Sequence, residues 1–267
     1  MMFTPTRKLF KSFNATLAAL LLACAAPAWA DIEAQFQQAN AAYDAGNYQQ
    51  AFRLLQPLAQ QGDASSQNNL GLMYEKGLGV AQNDKQAVAW YQKAAQQGHI
   101  LAQFNLGNMY YNGTGVAQNY QQAFAWFQKA ANQGNADAQY NLGLMYVHGR
   151  GVAKNDKQAV TWHQKAAQQG DVRAQTNLGV MYAEGCGVTQ SYQQAKAWWQ
   201  KAAQQGDARA QNNLGMMYAE GIGVAKNPQQ AKAWFQKVLA QPDTPENAET
   251  KADARDNLEA LKNNGIR

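Results

Sequence analysis

The amino-acid sequence predicts an all-α protein, a right-handed α-solenoid of helix-turn-helix units, and three observations carry that prediction. Written in lines of 36 residues from Asp63, the chain repeats itself five times, with lines beginning at Asp63, His99, Asn135, Asp171 and Asp207. Leu (70, 106, 142, 178, 214), Tyr (74, 110, 146, 182, 218) and Trp (90, 126, 162, 198, 234) return at the same place in every line. Of the 22 glycines, 20 also hold fixed places, among them a G-x-G-V turn first seen at Gly77 and Gly79. A period of this length, with apolar residues three and four apart inside it, marks a linear array in which each unit buries its apolar face on its neighbours.

The elements follow in chain order. Residues 1–30 have the form of a signal peptide: Arg7, Lys8 and Lys11 precede a mostly apolar run from Ala15 to Ala26, too short to span a membrane, and Ala28-Trp29-Ala30 is a small-x-small cleavage site. Cleavage after Ala30 makes Asp31 the mature start and the protein periplasmic or secreted. A competing cut uses Leu21-Leu22-Ala23-Cys24 as a lipoprotein box and leaves a lipid anchor at Cys24. Residues 31–62 form an N-terminal capping helix pair, Ala34 to Ala45 and Tyr48 to Gln61, joined at Gly46-Asn47.

Five repeats then occupy 63–98, 99–134, 135–170, 171–206 and 207–242. In the first, helix A runs from Ala64 to Lys76 behind an N-cap at Asp63, and Gly77-Leu78-Gly79 ends it. Helix B opens behind Asn83, a place taken by Asn119, Asn155, Ser191 and Asn227 in later lines, and runs to about Gln97. Its buried face is expected to be Ala87, Trp90, Ala94 and Ala95, which makes the tryptophan column core and leaves Trp199, beside Trp198, as the exposed tryptophan. The glycine at 71, 107, 143, 179 and 215 lies inside helix A, where it costs about 1 kcal/mol relative to Ala, so close approach by helix B is expected there. Residues 243–267 form a C-terminal capping helix, opening at Thr244-Pro245, ending near Lys262 and turning Ala252, Leu258 and Leu261 inward.

Composition narrows the function. Charged residues are only 15% of the chain, and Gln and Asn supply most of its polarity, which predicts a neutral, polar surface. The net charge of +5 shrinks to +2 once Arg7, Lys8 and Lys11 are removed, which leaves 20 basic against 18 acidic residues. So small an excess builds no face for nucleic acid. Cys186 is the one cysteine outside the leader, so the mature chain forms no internal disulfide.

The motifs A-x-x-x-L-G-x-M-Y, G-x-G-V, Q-A-x-x-W and K-A-A-x-Q-G, on a 36-residue line from Asp63 to Pro242, resemble the Sel-1-like repeats, longer-looped relatives of the tetratricopeptide repeats. The resemblance implies protein recognition of a scaffold or adaptor kind; in exported bacterial members it also implies host contact, envelope processes or peptidoglycan fragments. Some secreted relatives with regularly spaced cysteine pairs have been called penicillin-binding or β-lactamase-like, and this chain, with a single repeat cysteine, departs from them.

Chemistry is hard to find in the residues. There is no S-x-x-K, G-x-S-x-G, C-x-x-C or H-E-x-x-H. His99, His148 and His163 are scattered: His163 falls where other lines have Tyr91, Phe127, Trp199 and Phe235, and is expected to pack as they do. Cys186 occupies a variable turn position and is expected to be exposed. Glu184 and Glu220 share one repeat position and are expected to be solvated carboxylates. The expectation is no catalysis, no metal and no cofactor, with an envelope enzyme of β-lactamase-like or peptidoglycan-binding type and an outer-membrane lipoprotein adaptor as alternatives.

Binding is the stronger case, since solenoids present a long concave surface lined by one helix of each pair, here helix A by analogy with tetratricopeptide arrays. Asn69, Asn105, Asn141, Asn177 and Asn213 would make a ladder of amides for an extended peptide, or else hydrogen bonds between neighbouring helices. Phe104, Tyr111 and Tyr140 form an aromatic group at variable helix A positions, where partner anchors are expected. Arg173 and Arg209, one repeat apart, would take an acidic peptide or a carboxylate. The expected partner is a protein, a peptide or a peptidoglycan fragment.

Overall fold

The computed structural model describes residues 31–263, and every regular element among them is a helix. Residues 1–30, where a signal peptide and the alternative lipidation at Cys24 are expected, lie outside the described residues. Two compact units divide the chain, one of residues 31–102 with 114–116, the other of residues 103–113 with 117–263. In the first, α1 (31–44) and α2 (Tyr48–Gln60) are followed by α3 (Ala64–Lys76) and α4 (Asp84–Gln96). Helix α5 (Ile100–Asn112) starts there and belongs to the second unit from Gln103 onward. The second unit continues with α6 (Tyr120–Asn132), α7 (Ala136–His148), α8 (Asp156–Gln168), α9 (Val172–Glu184), α10 (Tyr192–Gln204), α11 (Ala208–Glu220), α12 (Pro228–Leu239) and α13 (Ala248–Asn263). From α6 to α13 each helix packs on the next, and α11 also touches α9 and α13, the stacking of an all-α repeat solenoid.

Local chemistry fixes where each helix begins and ends. Asp63, Asn135, Asp171 and Asp207 each accept a hydrogen bond from the amide three residues on, as do Asn83, Asn119, Asn155, Ser191 and Asn227 at the B helices. Such caps contribute about 1 kcal/mol apiece. His99 does the same with its ring, Nδ1 accepting from the Ala102 amide at 3.2 Å. The C-terminal helix begins three residues later than its sequence signals suggest. Asn247 folds back, its side chain accepting from the Thr244 amide and donating to the Pro242 carbonyl, and the first helical turn forms behind it. Leu261 is buried as expected and Leu258 packs against the same cluster, but Ala252 is exposed; Ala254, Thr250 and Lys251 are the buried residues on that side. Lys251 reaches out of that burial to Asp243, Nζ to Oδ1 2.6 Å.

The glycine inside helix A faces the ring that ends the run Q-A-x-x-W-x of its own helix B. A Cβ on Gly71 would lie 2.6 Å from the Tyr91 ring, and on Gly107 2.6 Å from the Phe127 ring. The second glycine of the turn has a different neighbour, the start of the preceding helix B: a Cβ on Gly151 would lie 2.2 Å from the Tyr120 carbonyl oxygen. One glycine thus sets the spacing inside a pair and the other the spacing between pairs.

The tryptophan column does not occupy the deepest position. Tyr91, Phe127, His163, Trp199 and Phe235, one residue further along, are at most 6% exposed, whereas Trp90, Trp126, Trp198 and Trp234 are half-buried and only Trp162 is buried. The position after the tryptophan points at the helix A glycine; the tryptophan lies along the seam, where a lysine three residues on covers its outer face. Lys93 Nζ stands 4.0 Å from the Trp90 ring centre, and Lys129, Lys165, Lys201 and Lys237 repeat the arrangement at 4.0 to 4.3 Å. Trp199 is therefore buried, contrary to the expectation of exposure, and its Nε1 donates to the Thr176 carbonyl at 3.1 Å.

Not all of the glutamine is surface. Gln67, Gln139, Gln175 and Gln211 are buried, each donating from Nε2 to the carbonyl eight residues earlier, at Ala59, Ala131, Ala167 and Ala203. Each accepts at Oε1 from a glutamine thirty residues later, Gln97, Gln169, Gln205 and Gln241. The chain of amides ties the last turn of one helix B to the following helix A and to the end of its helix B, where backbone carbonyls otherwise lack partners. Gln139→Ala should lower stability by about 1–2 kcal/mol in urea unfolding, more than Gln169→Ala at the exposed end of the same bond.

Candidate functional site

The A helices of the second unit present variable residues on one side. Asn105, Asn141, Asn177 and Asn213 are half-buried. Asn141 Nδ2 lies 3.5 Å from Asn108 Oδ1, and Asn177 hydrogen-bonds the Tyr140 hydroxyl, so two of the four link neighbouring helices. In the first unit Asn69 accepts from Asn68 at 3.3 Å.

The three aromatics are partly buried on the core rings of their own repeats. Phe104 and Tyr111 both lean on Phe127, ring centres 5.9 and 6.4 Å apart, and Tyr140 leans on His163 at 5.5 Å. Tyr111 also meets Tyr120 edge-on at 5.1 Å, and its hydroxyl receives a hydrogen bond from Arg150. Burial raises the Tyr140 hydroxyl above its ordinary range, and Arg173, 4.3 Å over the ring, opposes that.

The two arginines differ. Arg173 lies between Asp137 Oδ1 at 2.6 Å and Asp171 Oδ2 at 2.5 Å, so its charge is already compensated. Arg209 is exposed and stands at a cleft of about 230 Å³ with Asn177, Asn212, Asn213, Glu249 and Asp253.

A second cleft, of about 400 Å³, opens between α7, α8 and α9. Leu144, Val147, Val180 and Met181 give it apolar walls; Lys154, Asp156, Glu184 and Cys186 surround it; His163 and Asn177 lie deeper. His163 is fully buried, neither ring nitrogen has a hydrogen-bond partner, and burial lowers its pKa to about 4, with Asp171 acting the other way. The aromatic-sized packing role expected of His163 is what its position shows, against Tyr140 and over Gly143.

Cys186 is half-buried rather than exposed. Its Sγ lies 3.6 Å from Glu184 Oε2, and burial together with that carboxylate pushes the thiol upward, which holds it in the poorly nucleophilic protonated form. Among the described residues no three His, Cys, Asp or Glu side chains converge as metal ligands, and no helix is long and apolar enough to cross a membrane. His148, Glu184 and Glu220 are exposed.

The glutamine chain and the 400 Å³ cleft escaped the sequence reading. Both had a signal: Gln recurs every 36 residues at two positions, and the cleft appears where Tyr111, Tyr120 and Arg150 give way to Val147, Asp156 and Cys186 one line later.

Comparison with known proteins agrees with this architecture. The Sel1 repeat profile matches residues 38–63, 64–99, 100–135, 136–171, 172–207 and 208–241, the first of these on α1 and α2. A Sel1 repeat protein from Oxalobacter formigenes is 34% identical over 86% of this chain and 99% of its own, with a TM-score of 0.76. A protective antigen of uropathogenic Escherichia coli with an SLR fold is 32% identical over 88% of this chain, with a TM-score of 0.75; the match covers 54% of that antigen, about half its length. No functionally curated protein matches the chain. The repeat profile, the paired helices and the conserved spacing of turn and ring place this chain in the Sel1 repeat family.

Proposed function

We propose that this protein is an exported adaptor that binds a protein or peptide partner along the A-helix face of its repeats, without turnover. Sel1 repeat proteins are typically protein-interaction scaffolds, which supplies the class. The observation that carries the reading to these residues is the row of half-buried amides and aromatics from Phe104 to Asn213, interrupted by clefts, with the exposed Arg209 beside it. An extended segment would exchange backbone hydrogen bonds with Asn105, Asn141 and Asn177, anchor a side chain beside Phe104, Tyr111 or Tyr140, and set an acidic group against Arg209; Arg173, held by two aspartates, would contribute mainly as a cover for Tyr140. Export rests on the basic, apolar and small-x-small succession of residues 7–30, with cleavage after Ala30 favoured over lipidation at Cys24.

Arg209→Glu tests the reading at little cost to the fold, because the side chain is exposed. Affinity capture from cell-envelope extract should lose the bound partner at least about tenfold, the equivalent of 1.4 kcal/mol. An unchanged yield, or saturable hydrolysis of nitrocefin or muropeptides by the purified protein, contradicts it. Mass spectrometry of the N-terminus separates the soluble form, beginning at Asp31, from one lipidated at Cys24.

A further inference from the structure

We propose that the cleft between α7, α8 and α9 is a receptor for a tyrosine side chain of the partner, which enters where this chain's own Tyr111 ring sits one repeat earlier. The repeat supplies the template. Between α5 and α7 the equivalent space is narrowed to about 200 Å³ by this chain's own side chains: the Tyr111 ring in its wall leans on Phe127, meets Tyr120 edge-on and is held at its hydroxyl by Arg150. Thirty-six residues later all four partners shrink or change, Tyr111 to Val147, Tyr120 to Asp156, Phe127 to His163 and Arg150 to Cys186. The backbone around them keeps its form; Gly143 faces His163 as Gly107 faces Phe127, and Gly185 and Gly187 hold the same left-handed turn as Gly149 and Gly151. Side chains worth about two rings and a guanidinium are thus removed from an unchanged frame, and the cleft widens from about 200 to about 400 Å³.

The walls specify the guest. Leu144, Val147, Val180 and Met181 suit a flat apolar ring. The hydroxyl contact is inverted: where Arg150 donates to the Tyr111 hydroxyl, the wider cleft is bordered by two carboxylates with lone pairs to spare, Glu184, which accepts from Cys186, and Asp156, 3.9 Å from Lys154 Nζ. A phenol, with a hydroxyl proton to donate, can bond to either carboxylate, and a plain phenyl ring cannot. The second independent observation is His163. Its two ring nitrogens are fully buried without a partner, which is rare for buried polar atoms in a folded protein. A guest ring seated as Tyr111 is seated against Phe127 would meet that imidazole.

The proposal deepens the partner-binding reading and rests on it only for the source of the ring. The purified protein, with p-cresol as the tyrosine side-chain probe and toluene as its phenylalanine counterpart, tests the cleft without any partner. By NMR, p-cresol should shift the His163 ring C–H signals saturably in the millimolar range, and toluene should bind at least threefold more weakly. Val147→Tyr, which restores the residue of the preceding repeat, should abolish the shift; Cys186→Arg, entering from the turn, should weaken it and serves if the first variant does not fold. Unmoved His163 signals, equal binding in the filled variants, or toluene binding as well as p-cresol would overturn the assignment. Saturable p-cresol binding with no partner captured through the Arg209 face would instead uphold the cleft and sink the partner reading.

Discussion

Gly179→Ala should lower stability by about 3 kcal/mol, combining overpacking of 1–3 kcal/mol with a strained hydrogen bond. The added Cβ would stand 2.1 Å from Trp199 Nε1, and the indole has no room to yield, because that same nitrogen donates to the Thr176 carbonyl. The test is a double-mutant cycle read by urea unfolding. In a Trp199→Ala background the same substitution should be neutral or stabilising by up to about 1 kcal/mol, since Ala is the better helix former. A penalty that persists without the indole would mean the glycine serves something other than the approach of helix B.

The second large effect is on pH. Burial holds His163 near a pKa of about 4, against an ordinary value of 6.5, so between those values the unfolded chain binds a proton that the folded protein refuses. Stability from this source is complete above pH 6.5, falls as the pH drops, and is lost below 4, a total of about 3 kcal/mol. His163→Phe, the residue at this position in two other repeats as Phe127 and Phe235, should flatten the curve and add about 1–3 kcal/mol at pH 7 by removing two buried, unpartnered nitrogens. Burial also lowers His99, in the same direction, and that slope remains in the variant. Parallel pH curves for wild type and variant would show that His163 is not held neutral.

Helix existence, order and caps were legible in the sequence because each depends on residues adjacent in the chain: Asp63 on the Ser66 amide, Gly77 on the Met73 carbonyl. Depth was less legible. A helical wheel places Trp198 and Trp199 100° apart, and which of them is buried depends on where the partner helix carries its glycine, so periodicity alone places the tryptophan column too deep. The capping role of Gln67 toward the Ala59 carbonyl joins two helices across a turn, and composition alone suggests a surface residue. At the candidate site the sequence located the variable A-helix positions but not their company. Asp171, two residues before Arg173, is a local partner, but the second, Asp137, comes from a full repeat away, and the cleft beside Val147 appears only when the side chains of one repeat are subtracted from the next.

If the A-helix face meets the partner, site-specific photo-crosslinking should capture it there. A benzophenone side chain at Met216, exposed on α11, and one at Thr161, exposed on α8, can be compared in cells that make the protein. A discrete adduct from Met216 with none from Thr161 is the predicted result; adducts from Thr161 alone would place the partner on the opposite helices and contradict the account.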